Sequence, residues 1–255
     1  MKIGVFDSGV GGITVLMELR KAAPTADFVY LGDTANVPYG PKSPGQVERL
    51  SLEAVTRLRD RGIDALVVAC NTASSLALPA IRATMKGIPV MGVVEPGAKA
   101  VIEQVRGGST PILVLATRAT VKSGAYAKAL AGHGQVIEQE CPLLVPMIEE
   151  GWLDHPILHA TLEQYLAAHV KKGNSDAVAL LGCTHYPWIQ AAVERALPGW
   201  KVINSAQAVA QAFGEQLGFK AQSGPPSGRI EWIFTDPAAV PAFALRWVDK
   251  GNGLA

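Results

Sequence analysis

Short, nearly unbroken apolar runs recur along this 255-residue chain, and most are separated by segments whose apolar residues return at helical spacing. The runs are KIGVFD (2–7), FVYLGD (28–33), ALVVAC (65–70), IPVMGVVE (88–95), PILVLA (111–116), QVIEQE (135–140), AVALLGC (177–183), WKVIN (200–204) and RIEWIFT (229–235). Between them lie stretches such as VERLSLEAVTRLRDRG (47–62) and LHATLEQYLAAHVKKG (158–173). A strand that is apolar on both faces must be covered on both faces. Alternation with amphipathic helices therefore predicts parallel sheets flanked by helices, an α/β fold.

The pattern also repeats. DALVVACNTASSLALPAIR (64–82) matches DAVALLGCTHYPWIQAAVE (176–194) up to a one-residue shift. Each copy ends a buried strand on a cysteine, with Thr one or two residues later and a helix after that. The spacing predicts two pseudosymmetric lobes, each a mainly parallel sheet, with a site in the cleft between them. The first lobe is expected to comprise residues 1–95 and 205–255, and the second residues 96–204. A single continuous sheet is the alternative.

Composition narrows the function classes. With 49% hydrophobic and 18% charged residues, the chain suits a globular protein long enough for one large domain or two smaller ones. A net charge of +1, without a cationic run, argues against a nucleic-acid or acidic-membrane partner. MKIGVFDSG goes straight into a strand pattern and is not expected to be a signal peptide. No apolar run approaches the roughly 20 residues of a membrane helix. Three cysteines (Cys70, Cys141, Cys183), without a CxxC pair, predict a reducing cytoplasm rather than a disulfide framework or zinc ribbon.

In open parallel sheets, ligands collect at the carboxyl ends of strands. Four such ends are polar: Asp7 and Ser8; Cys70, Asn71 and Thr72; Thr117 and Thr120; and Cys183, Thr184 and His185. Gly9, Gly11 and Gly12 offer backbone N–H groups to an anion at a helix start, but the run is neither GxGxxG nor a Walker loop. A small carboxylate, or merely a tight strand-to-helix turn, fits as well. Asp7 is open to three readings: a nucleophile, a group orienting an amine, or a helix cap.

Cys141, in ECPLLVPM, reads as a buried small hydrophobe, the commoner fate of a free thiol. Cys70 and Cys183 differ, because each precedes polar residues at matching places in the two copies. If the lobes face each other, the two thiols approach one small ligand from opposite sides. Two acid–base groups across a tetrahedral carbon can take a proton from one face and deliver one to the other, inverting the centre. A thiol suits this work because its unperturbed pKa of about 8.5 is readily tuned by its neighbours.

GVFDSGVGG, VPYG (37–40), ACNTAS and LGCTHYP, in this order, resemble the glutamate racemases of the aspartate/glutamate racemase superfamily. The likeness spans residues 3 to about 205. It implies the two-lobed pseudosymmetric fold and a cofactor-independent, metal-free two-base interconversion of L- and D-glutamate, the D-isomer serving peptidoglycan synthesis. By resemblance, Cys70 abstracts the α-proton of D-glutamate with help from Asp7, and Cys183 that of L-glutamate with help from His185. Glu149, in PMIEEGW, resembles a further carboxylate supporting the second thiol. Ser8, Tyr39, Gly40, Asn71, Thr72, Thr117, Thr120 and Thr184 match substrate-contacting positions, as do Asp7 and His185. Relatives of this family are often dimers, so a homodimer is allowed; the five tryptophans are too scattered to locate an interface.

Rival readings remain. Aspartate racemases carry an acid after the second Cys-Thr, where this chain has His185, which favours glutamate. Longer relatives acting on hydantoins or maleate share the two cysteines without this DSGVGG and CTHYP combination. A thiol redox or ligand-sensing protein would need the same proximity of Cys70 and Cys183. Tyr39 could be an ordinary loop residue, or part of a loop that closes over a site. His155, His159 and Glu163, at i, i+4 spacing, imitate a metal site but read as a solvated helix face.

Overall fold

The computed structural model describes residues 1–105, 108–170, 176–217 and 227–249. Among these residues nine strands form: β1 (Lys2–Asp7), β2 (Asp27–Gly32), β3 (Ala65–Val68), β4 (Val90–Gly92), β5 (Pro111–Ala116), β6 (Gln135–Glu140), β7 (Val178–Gly182), β8 (Lys201–Asn204) and β9 (Ile230–Phe234). They make two separate sheets, ordered β4-β3-β1-β2-β9 and β6-β5-β7-β8, and every pairing is parallel. The single-sheet alternative is thereby excluded. Setting β1–β4 against β5–β8 gives one strand order twice, so the repeat read from the sequence is a repeat of topology. β9 extends the first sheet beyond β2, with Phe28 opposite Ile230.

Helices cover the sheets: α1 (Ile13–Ala22), α2 (Pro44–Arg59), α3 (Asn71–Leu76), α4 (Leu78–Thr84), α5 (Val94–Ile102), α6 (Arg118–Ser123), α7 (Ala125–Ala129), α8 (Leu144–Glu149), α9 (Pro156–Leu166), α10 (Gln190–Ala196), α11 (Ser205–Leu217) and α12 (Ala242–Asp249). β3 and β7 are buried at every position, as strands covered on both faces must be. One apolar cluster runs through both sheets, joining Ile3 and Val5 of β1, Leu16 and Leu19 of α1, Leu113 and Leu115 of β5 and Leu181 of β7. α11 bridges the halves by packing on both α1 and α5.

Local chemistry sets the helix ends. α2 begins earlier than its apolar spacing predicts, because Ser43 and Gln46 form a reciprocal capping box and Pro44 occupies the first turn. It stops ahead of Gly62, whose φ of +68° takes the chain out of the helix. The run 88–95 yields only the short β4, since α5 already starts at Val94 and tolerates Pro96 in its first turn. The helix expected over 158–173 buries Leu158, Leu162 and Leu166 and ends at Leu166; residues 171–173 of that expectation lie outside the described residues. No helix among the described residues is long and apolar enough to cross a membrane.

Candidate active site

Both sheets direct strand ends toward one cavity of about 180 Å³. Cys70, Asn71 and Thr72 follow β3, and Cys183, Thr184 and His185 follow β7; all six line it. Ser8, at the end of β1, and Thr117, at the equivalent end of β5, line it too, as do Tyr39 and Gly40. Thr120, Asp7 and Glu149 stand one layer behind, touching residues that face the cavity.

Cys70 is the N-cap of α3. Its Sγ accepts from the Ala73 N–H at 3.5 Å and donates to Ser8 Oγ at 3.4 Å. Burial, then the negative charge of Asp7, pushes this thiol up to about 12, although the Ser8 and Ala73 contacts pull the other way. Asp7 is wholly buried. It accepts from the Gly9 N–H at 3.0 Å and from Thr184 Oγ1 at 3.2 Å, so it ties the end of β1 to the loop after β7. Burial raises its carboxyl above the usual range, opposed by the charge of His185.

Cys183 has a different neighbour. His185 Nδ1 lies 3.9 Å from its Sγ, and His185 Nε2 lies 3.0 Å from Glu149 Oε1. Burial disfavours a charged imidazole, but hydrogen bonds and charge from Cys183 and Glu149 outweigh it and lift His185 to about 10. A protonated ring in this position has a donor for each neighbour. The ring packs edge-on against Trp188, which fixes its orientation.

The glycine loop makes room for close packing. A Cβ at Gly11 would overlap Thr184 Oγ1 and His185 Nδ1, and one at Gly12 would run into Asp7. Gly11 lets the loop after β1 press against the side chains that follow β7, and Gly12 lets it pass close over Asp7 at the end of β1. Thr14 Oγ1 adds a bond to the Thr184 carbonyl at 2.9 Å.

On the opposite wall, Thr72 and Thr117 hydroxyls lie 2.9 Å apart, and Thr117 and Thr120 3.0 Å apart. Thr117 also caps α6. The Gly40 carbonyl accepts from the Ala119 N–H at 3.1 Å, holding the VPYG loop against the second sheet. Tyr39 donates to Asp33 Oδ2 at 2.7 Å, and Asp33 Oδ1 accepts from Thr235 Oγ1 at 2.7 Å, just past β9. Thr34 Oγ1 donates to the Asp236 carbonyl at 2.7 Å.

Sequence reasoning missed several lining residues. Cys141 is buried as expected, but it also borders the cavity, along with Pro142, Val145 and Pro146. Arg118 is the cationic residue at the rim, paired with Glu140 at 3.1 Å. The histidines at helical spacing are otherwise engaged: His155 caps α9 and stacks on Trp152, and His159 lies 2.8 Å from Asp154.

Residues 13–213 match the family model for Asp/Glu/hydantoin racemases. The glutamate racemase of Aquifex aeolicus is 46% identical over 238 residues, covering 92% of this chain and 89% of that protein. The crystal structure of glutamate racemase from Thermus thermophilus in complex with β-chloro-D-alanine superposes with a TM-score of 0.84 at 40% identity, over 100% of this chain and 95% of that one. The glutamate racemase from Francisella tularensis in complex with D-glutamate gives a TM-score of 0.85 at 29% identity, over 97% and 93% of the two chains.

Proposed function

Because the chain belongs to the Asp/Glu/hydantoin racemase family, we propose that it racemises glutamate by two-base proton transfer, in the cytoplasm, supplying D-glutamate for peptidoglycan. The observation that carries this reading is the placement of Cys70 and Cys183 at equivalent strand ends, bordering one cavity, Cys70 against Ser8 and near the buried Asp7, Cys183 against His185. We assign the lobes to residues 1–95 with 205–255, and to 96–204.

In the L-to-D direction, the Cys183 thiolate takes the α-proton and the Cys70 thiol delivers its proton to the opposite face. The polarity of the site suits this direction. Cys70, pushed up to about 12, holds its proton, while the His185 cation stabilises negative charge on Cys183. In the reverse direction Cys70 must lose its proton, and the buried carboxylate of Asp7 is the group placed to assist. Glu149 keeps His185 charged and oriented. Asn71, Ser8 and the hydroxyls of Thr72, Thr117 and Thr184 supply neutral donors for the substrate carboxylates and for the charge that develops on deprotonation, with Thr120 holding the Thr117 hydroxyl from behind. Tyr39 and Gly40 close the cavity from the VPYG loop. The two thiols account for both proton transfers, so the chemistry calls for no cofactor or metal.

The test is exchange of the glutamate α-hydrogen with solvent deuterium, followed with chiral chromatography of the product. The wild type exchanges and racemises L-glutamate without added cofactor. Retention of exchange in a Cys70→Ala, Cys183→Ala double variant would reject the two-base assignment and leave a thiol-sensing protein as the alternative. Parallel incubation with L-aspartate separates the aspartate reading, against which His185 already weighs.

A further inference from the structure

Among the described residues, Asn71 lines the cavity with its side chain anchored at one end and unpartnered at the other. Its Oδ1 accepts a hydrogen bond from the Tyr126 hydroxyl at 2.6 Å. Its Nδ2 is buried with no hydrogen-bond partner among the described residues, and the residue lines the cavity. A buried amide donor left unmade is costly, and a group that bears the cost is aimed at something which binds there.

Tyr126 is fully buried on α7, within the core of the second sheet, whereas Asn71 stands on α3, behind the first sheet. The contact therefore crosses between the two halves, immediately beside Cys70. Gly97 of α5 leaves room for the phenol oxygen: a Cβ there would lie 3.3 Å from it. Burial, with the nearby Cys183 and Glu138, pushes the phenol upward, so Tyr126 keeps its proton and stays a donor.

An Asn amide carries an acceptor at one end and two donors at the other, and rotation by half a turn exchanges them. Occupying Oδ1 from the Tyr126 side decides which end faces the ligand. We propose that Tyr126 is a positioning residue for substrate binding: its hydroxyl locks the Asn71 amide so that the NH2 group faces the cavity and reads a carboxylate rather than an ammonium. The assignment rests on the glutamate reading above, and it concerns ground-state binding rather than proton transfer.

The test is steady-state racemisation by Tyr126→Phe in both directions. KM for L- and D-glutamate should rise about five- to tenfold, the scale of one hydrogen bond, with kcat within about twofold. In an Asn71→Ala background, Tyr126→Phe should add no further rise, because its effect runs through that amide. An unchanged KM, a fall in kcat alone, or an equal additional rise in the Asn71→Ala background would each overturn the proposal. Gly97→Ala is the second variant, should Tyr126→Phe fold poorly. By crowding the phenol it should raise KM about two- to fivefold, and an unchanged KM there counts against the proposal. Wild-type protein that fails to racemise glutamate would defeat the functional reading itself. Normal racemisation with a Tyr126-independent KM would defeat this inference alone.

Discussion

The two halves share a strand order and a cysteine at the same strand end, yet they surround those cysteines with opposite charges. Cys70 has a buried carboxyl, Asp7, and a hydroxyl, Ser8; Cys183 has a cation, His185, backed by Glu149. A repeated scaffold therefore fixes where the two thiols stand, and unrepeated side chains fix what surrounds each. At the end of β5, where the first half has Asp7 on β1, the second half has Ala116. The carboxylate beside His185 comes instead from Glu149 of α8, which follows β6.

The largest expected effect breaks the comparison outright. Cys183→Ser should lower racemisation by about a thousandfold or more, the scale of a lost general base. It should retain one-sided processing of a D-configured substrate that bears a leaving group; loss of both activities would mean that Cys183 is also needed for binding or folding. Next, His185→Asn should slow α-proton exchange from L-glutamate by about a hundredfold and from D-glutamate markedly less, measured by deuterium uptake into each enantiomer. Equal losses for the two would show that the cation serves both thiols.

The third prediction concerns pH. His185 is held at about 10 in the folded chain, against an ordinary 6.5. A raised folded value means that the protonated form stabilises the fold. That contribution is complete below about 6.5 and is lost as pH rises through about 10. Denaturant titrations should therefore show stability declining between those limits, and His185→Asn should flatten the decline. The smallest effect is expected for Glu149→Gln, which keeps the geometry but removes a charge. L-glutamate turnover should fall only a few-fold, about threefold to tenfold, with the alkaline limb of the pH–rate profile moved to lower pH.

The sequence made the scaffold readable because its signals are local. Apolar runs marked the nine strands of the described residues to within a few residues, and a cysteine before Asn-Thr or Thr-His marked two strand ends that border the cavity. Features that depend on distant partners were not readable. The glycines after β1 were open to an anion-loop reading because nothing local says that Thr184 and His185 press against Gly11. Nothing local in the sequence marks Tyr126, whose hydroxyl meets Asn71, 55 positions away. Cys141 was read by type, and it is buried as that type predicts, but it also stands at the cavity wall because it directly follows β6, beside the end of β5. Asp33 lay at the end of a strand run without any local mark, since its partners Tyr39 and Thr235 meet it only through the turn and through β9.

That last contact bears on when the protein becomes competent during its synthesis. Both thiols and all their charged partners have been translated once residue 185 has been made, yet the clamp on Asp33, and through it on Tyr39, waits for Thr235. The edge of the first sheet beside β2 stays unpaired over the same interval, until β9 arrives. A nascent or truncated chain therefore carries every reactive group with one wall of its chamber unfinished. Assembly of the closed site is deferred until β9 and the turn after it have left the ribosome.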